Sequence, residues 1–167
     1  GTALLLILIS LPVGAASVSQ RVRTWFLASP EERAAMSLGA EFLGRGEVPI
    51  QQYDNTCGPA ALMYALSLLG VEATEEELAK LSGTTPEGTS MLGLMQAART
   101  FGFDAAGYRV DPADVDRLPI PAVLFLPARK HFVVLTEVTP DSVHVADPAL
   151  GHLKFTRHSL LEYRGVV

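Results

Sequence analysis

The run from Cys57 to Leu69 carries Ala60, Ala61, Met63, Tyr64, Leu66, Leu68 and Leu69 and no charged side chain, so as a helix it is apolar on nearly every side. Such a helix has to be buried, and the rest of the chain has to wrap it. Gly70 ends it in the usual C-terminal way, and Thr74-Glu75-Glu76-Glu77 reads as a capping box opening a short helix to about Leu81. Glu75, Glu76 and Glu77 then sit in a first turn, where negative charge suits the helix dipole. Beyond the polar loop Ser82 to Gly88, Ser90 caps a third helix, Met91 to Phe101, closed by Gly102.

Downstream the period changes. Phe103 to Val110, Ile120 to Leu126, His131 to Val138 and Ser142 to Asp147 are β-branched or aromatic runs of strand length, separated by Pro, Gly or Asp. A strand fragment at Lys154-Phe155 and a helix from about Arg157 to Tyr163 follow, and Gly165 to Val167 reads as the start of another strand. Helices first and strands after predict an α+β fold, with the apolar helix packed on an antiparallel sheet. At 167 residues and 49% hydrophobic content the chain can bury one sizeable core, which predicts a single main domain.

Upstream, Ser29-Pro30-Glu31-Glu32 predicts another capped helix, running to about Gly44 and packed on the main domain. The first residues are a different material. Thr2 to Gly14 is uncharged and apolar, and Ala15, Ala16 and Ser17 follow it, the pattern of a signal-peptide core cleaved after Ala16. It is short of the ~20 residues that span a bilayer as a helix. The chain opens on Gly1 with no Met and no basic stretch, so the segment is expected to begin upstream; a longer version would anchor the protein and give membrane association. The expected organisation is 1–16 signal-like, 17–47 a linker with a short helix, and 48–167 the main domain, in an exported protein of bacterial type.

Export favours disulfides, yet Cys57 has no partner in the chain. Its position supplies another reason for a thiol. A helix N-terminus offers unpaired N–H groups and partial positive charge, which stabilise a thiolate. An activating imidazole is then needed, and His131, which opens an apolar strand after the polar break Arg129-Lys130, is the candidate. Asp147 ends the next strand, and a hairpin turning at Pro140-Asp141 would set it beside His131 to orient the ring. The oxyanion of acyl transfer requires two donors, for which the Cys57 N–H and a carboxamide from Gln51 or Gln52 are available. Tyr53 and the loop Thr84 to Thr89 could line a substrate cleft.

Other chemistries find little support. The net charge of −5 includes no basic block, which argues against a nucleic-acid partner. His144, His152 and His158 match no metal-ligand spacing, and no Gly-rich Lys-Ser/Thr loop is present to bind ATP.

The arrangement of Gln51 to Cys57-Gly58, His131 before an apolar run, and Asp147-Pro148 resembles the C39 cysteine peptidases, a papain-like group that includes bacteriocin-processing domains. The resemblance covers Val48 to Val167. It implies a papain-like fold and a cysteine endopeptidase acting on a peptide or protein substrate without a cofactor. It also implies Cys57 as nucleophile, His131 as general base, Asp147 as its orienter and Gln51 rather than Gln52 at the oxyanion hole. Thr56 stands where many transporter-linked members carry an acidic residue, and their ATPase domain has no counterpart within these residues. The same residues would also serve amide hydrolysis or acyl transfer on another substrate, and a cleft without turnover would make a peptide-binding module.

Overall fold

The computed structural model describes residues 27–157 apart from residue 128. The signal-like segment, most of the helix expected from Arg157 to Tyr163, His158 and the terminal strand fragment lie outside the described residues. Among the described residues, four helices precede four of the five strands: α1 Pro30–Ser37, α2 Cys57–Leu68, α3 Glu75–Leu81 and α4 Met91–Thr100. The strands are β1 Ala40–Gly44, β2 Ala122–Leu126, β3 His131–Val138, β4 Ser142–Asp147 and β5 Gly151–Thr156, with a 3₁₀ turn at Pro112–Arg117 before β2. They form one sheet in the order β1-β5-β4-β3-β2, antiparallel throughout. The expected α+β architecture with an antiparallel sheet is what the chain adopts.

Both faces of the sheet are covered, and this explains why Phe132-Val133-Val134-Leu135 is continuously apolar instead of alternating. Phe132, Val134 and Ala146 pack with the helical residues Ala61, Leu66, Leu78, Leu94 and Ala97. Val133, Leu135, Val143, Val145, Leu153 and Phe155 pack on the other side with Ala35 of α1 and Val115 of the 3₁₀ turn. The α2 helix is buried along Cys57 to Leu62 and at Tyr64, Ala65 and Leu66, as its all-round apolar composition requires.

Two differences from the expected elements have local causes. The first helix stops at Ser37 instead of about Gly44, because Gly39 takes a left-handed conformation at φ 69 and its N–H returns to Met36 C=O at 3.0 Å. The residues freed by this stop become β1, pairing Ala40 with Phe155 and Phe42 with Leu153, so the stretch expected to be a linker adds an edge strand to the sheet. The run from Phe103 to Val110 forms no strand. Phe103 and Ala105 reach the core, but the Ala105 carbonyl is taken by the Arg99 guanidinium, at 2.7 Å from Nη2, and not by a neighbouring strand.

The helical layer depends on one close approach. A Cβ on Gly93, in the first turn of α4, would lie 2.0 Å from the Ser82 carbonyl oxygen, which is backbone and cannot turn aside. Gly93→Ala is therefore expected to lower stability by about 1–3 kcal/mol, the usual cost of overpacking. Urea unfolding should show this as a lower midpoint at unchanged slope. An unchanged midpoint would mean that α4 is not seated against Ser82.

Candidate active site

The site forms where the N-terminal tip of α2 meets the end of the sheet that holds the start of β3 and the end of β4. Thr56 is the N-cap residue of α2, but its side chain makes no capping bond to the helix. Its hydroxyl instead turns back, accepting the Tyr53 N–H at 3.1 Å and donating to the Tyr53 carbonyl at 2.9 Å. A missing cap costs a helix about 1 kcal/mol and leaves its N–H groups open. Pro59 has no N–H to offer, and the Ala60 N–H closes the first helical turn on Thr56 C=O at 3.0 Å. The orphan donors of this tip are thus the N–H groups of Cys57 and Gly58. Cys57 itself is 7% exposed.

The hairpin places the other two groups. Val134 pairs with Ala146 and Leu135 with Val145, so the start of β3 lies diagonal to the end of β4. His131 Nε2 and Asp147 Oδ1 are 2.8 Å apart. The Asp147 carboxylate is 1% exposed and has two further partners: Oδ1 accepts the Ala149 N–H at 2.8 Å, and Oδ2 faces Arg129 Nη1 at 3.5 Å. With Nε2 committed to Asp147, Nδ1 is the ring nitrogen left for the thiol.

The electrostatics run in opposite directions at the two reacting groups. Burial pushes the Cys57 thiol up, but hydrogen bonding to His131, the Phe132 N–H, the His131 charge and the Gly58 N–H together hold it below the ordinary 9.0. Burial pushes His131 down, and hydrogen bonds to Asp147 and Cys57 with the charges on both outweigh it, raising the imidazole to about 9. Asp147 is pushed up by burial and brought below the ordinary carboxylate value chiefly by its hydrogen bond to His131 and the charge there, with help from the Ala149 N–H and Arg129. A lowered thiol beside a raised imidazole is the signature of a thiolate–imidazolium pair.

The two glutamines are placed differently. Gln51 is half-buried; its Nε2 donates to Tyr53 C=O at 2.8 Å, which leaves a second N–H on the same nitrogen, while Oε1 is buried with no hydrogen-bond partner among the described residues. Its main-chain N–H is anchored to Pro148 C=O at 2.9 Å, beside Asp147. Gln52 has an exposed side chain. A cleft of about 510 Å³ borders Thr56 at the α2 tip, walled also by Gln52, Tyr53, Glu75 and Thr84; Cys57, His131, Asp147 and Gln51 are not among its walls. Asn55 ties one rim to the other through Nδ2 to Thr85 C=O at 2.8 Å.

Sequence reasoning singled out Cys57, His131, Asp147 and Gln51, and the first three meet at one point. It did not single out Arg129, read only as part of a polar break, nor Glu75, read only as a first-turn charge. The one signal available for Arg129 was a cation two residues before the histidine. Among the described residues no group of three or more His, Cys, Asp and Glu side chains could hold a metal ion. His144 Nδ1 is paired with Glu137 at 3.0 Å, and His152 lies edge-on to the Tyr64 ring.

Comparison with known proteins bears on the family and the fold. The chain is 39% identical over 116 residues to an uncharacterized protein of Methanothermobacter marburgensis, spanning 70% of this chain and 81% of that one. It is 37% identical over 123 residues to the probable functional amyloid protease FapD of Pseudomonas aeruginosa, spanning 68% of this chain and 53% of that one. Among solved structures it superposes with a TM-score of 0.65 and 27% identity on a double glycine motif protease from an AMS/PCAT transporter in complex with the leader peptide, over 74% of this chain and 91% of that one. That likeness makes the fold the papain-like one of the peptidase domains, and since the Peptidase C39 profile matches residues 47–167, the chain belongs to the peptidase C39 family.

Proposed function

We propose that this member of the family is a cysteine endopeptidase acting on a peptide substrate through Cys57, His131, Asp147 and Gln51. The observation that carries the reading is the convergence of a lowered thiol, a raised imidazole and a buried carboxylate 2.8 Å from that imidazole. The Cys57 thiolate adds to a peptide carbonyl carbon, and the resulting oxyanion is met by the Cys57 N–H and the second N–H of Gln51 Nε2. The His131 imidazolium gives its proton to the leaving amine as the C–N bond breaks, leaving a thioester on Cys57. His131, now neutral, takes a proton from water, whose oxygen adds to the thioester; the acid departs and the pair reforms. Asp147 holds the ring through Nε2 and favours its charged form throughout.

A peptide is the substrate class best supported, because the structural relative at 27% identity was solved holding a leader peptide. The apolar Thr2 to Gly14 segment supports an exported protein, in which the substrate would be met outside the cytoplasm.

The reading is tested by incubating the protein with a degenerate peptide mixture and sequencing the fragments by mass spectrometry, with Gln51→Ala alongside. Discrete new termini are expected from wild type, and kcat about 10²-fold lower from Gln51→Ala, the usual loss for one oxyanion donor. Intact peptides throughout, from a protein whose thiol is reactive, would instead favour a peptide-binding module. Unchanged kcat in Gln51→Ala would remove Gln51 from the oxyanion hole.

A further inference from the structure

Glu75 is 4% exposed, whereas its neighbours Glu76 and Glu77 are exposed. A carboxylate is buried at a cost unless hydrogen bonds compensate it. Capping does not account for it, because the Thr74 hydroxyl already takes the Glu77 N–H at 3.2 Å. What the carboxylate does is reach across to the loop before α2 and accept the Gln52 main-chain N–H, at 2.9 Å from Oε1 and 3.3 Å from Oε2. The preceding N–H, that of Gln51, is held from the other side by Pro148 C=O at 2.9 Å. Two successive peptide groups are thus pinned between α3 and the turn that follows Asp147.

We propose that Glu75 is a positioning residue for the oxyanion side of the site: its carboxylate fixes the main chain at Gln52 and thereby aims the Gln51 carboxamide. The proposal rests on the reading of Gln51 as an oxyanion donor. Gln51 hangs from the segment so fixed, and among the described residues its carboxamide has one hydrogen bond, to Tyr53 C=O. Its aim therefore depends on the backbone beneath it. A displacement of about 1 Å in such a group can cost 10²-fold in rate, so the anchor acts on turnover without touching substrate.

The test is a double-mutant cycle on the cleaved peptide. Glu75→Ala should lower kcat about tenfold to 10²-fold with KM close to wild type. Glu75→Gln, whose amide oxygen still accepts the Gln52 N–H, should stay within about threefold of wild type. Glu75→Asp keeps the charge but shortens the reach; it should fall as the alanine variant does, and it replaces that variant if the alanine protein does not fold. In a Gln51→Ala background the Glu75 substitution should add less than about threefold, because the group it aims is gone. The pH profile of Cys57 alkylation should be unchanged by it, because the thiolate does not depend on the oxyanion donors. A full, multiplicative loss in the Gln51→Ala background would overturn the proposal, as would alkylation falling in parallel with turnover. Unchanged kcat in Gln51→Ala alone would mark a different failure, that of the oxyanion reading itself.

Discussion

Cys57→Ala should abolish peptide hydrolysis, lowering kcat by at least about 10⁴-fold, while leaving the fold and the cleft intact. The size of the loss follows from the division of labour. Removing the nucleophile removes the thioester route, and what survives is binding and the oxyanion donors, which by themselves are a weak catalyst. The substitution deletes one sulfur from a site 7% exposed, beside Gly58 and Phe132, so the cavity it leaves is small. The measurement is kcat on the cleaved peptide with the binding affinity of the same peptide in parallel. Loss of turnover with binding retained is expected, whereas turnover equal to wild type would end the proposal that Cys57 is the nucleophile.

Asp147→Ala carries the second large effect, this time on stability and activity together. The wild-type carboxylate is 1% exposed and accepts from His131 and Ala149 while facing Arg129. Removing it leaves an imidazole and a guanidinium without their counter-charge and a main-chain N–H without its acceptor. Breaking a buried pair from one side typically costs about 3–5 kcal/mol. The loss should depend on pH in a defined way. A carboxylate held below the ordinary 3.8 stabilises the fold above that pH, and the contribution disappears as pH falls through its lowered value. An imidazole raised from 6.5 to about 9 stabilises the fold fully below 6.5, and that contribution disappears as pH rises through about 9. The gap between wild type and Asp147→Ala should therefore be widest between these limits and close toward either side. Urea melts across pH measure it, and kcat should fall about 10⁴-fold when the ring loses its orienter. A gap under about 1 kcal/mol at neutral pH would mean that Asp147 does not hold His131.

The groups that meet at the site were legible because each is announced by its own strand or helix. Cys57 stands at the mouth of a helix whose composition demands burial, and His131 and Asp147 stand at the two ends of strands whose limits, His131–Val138 and Ser142–Asp147, are marked by Lys130, Pro140-Asp141 and Pro148. Hairpin pairing does the rest. What was not legible depends on partners that a segment's own pattern does not announce. Nothing in Ala40–Gly44 announces a strand, because its hydrogen bonds come from β5, more than a hundred residues later. Phe103 to Val110 has strand composition, but the Arg99 guanidinium occupies a carbonyl that a neighbouring strand would need. Glu75 reads as a dipole-matching charge until the Gln52 N–H is seen to end on it.

The rate of Cys57 alkylation against pH, in wild type and in His131→Ala, tests the pairing on which the mechanism rests. Wild type should react as a thiolate below the ordinary 9.0, with a second change near 9 where His131 gives up its proton. In His131→Ala the thiol keeps its burial and loses its largest stabilising partner, so its titration should move up from the wild-type position. Coincident profiles for the two proteins, both titrating near 9.0, would contradict the thiolate–imidazolium pair and with it the proposed hydrolase.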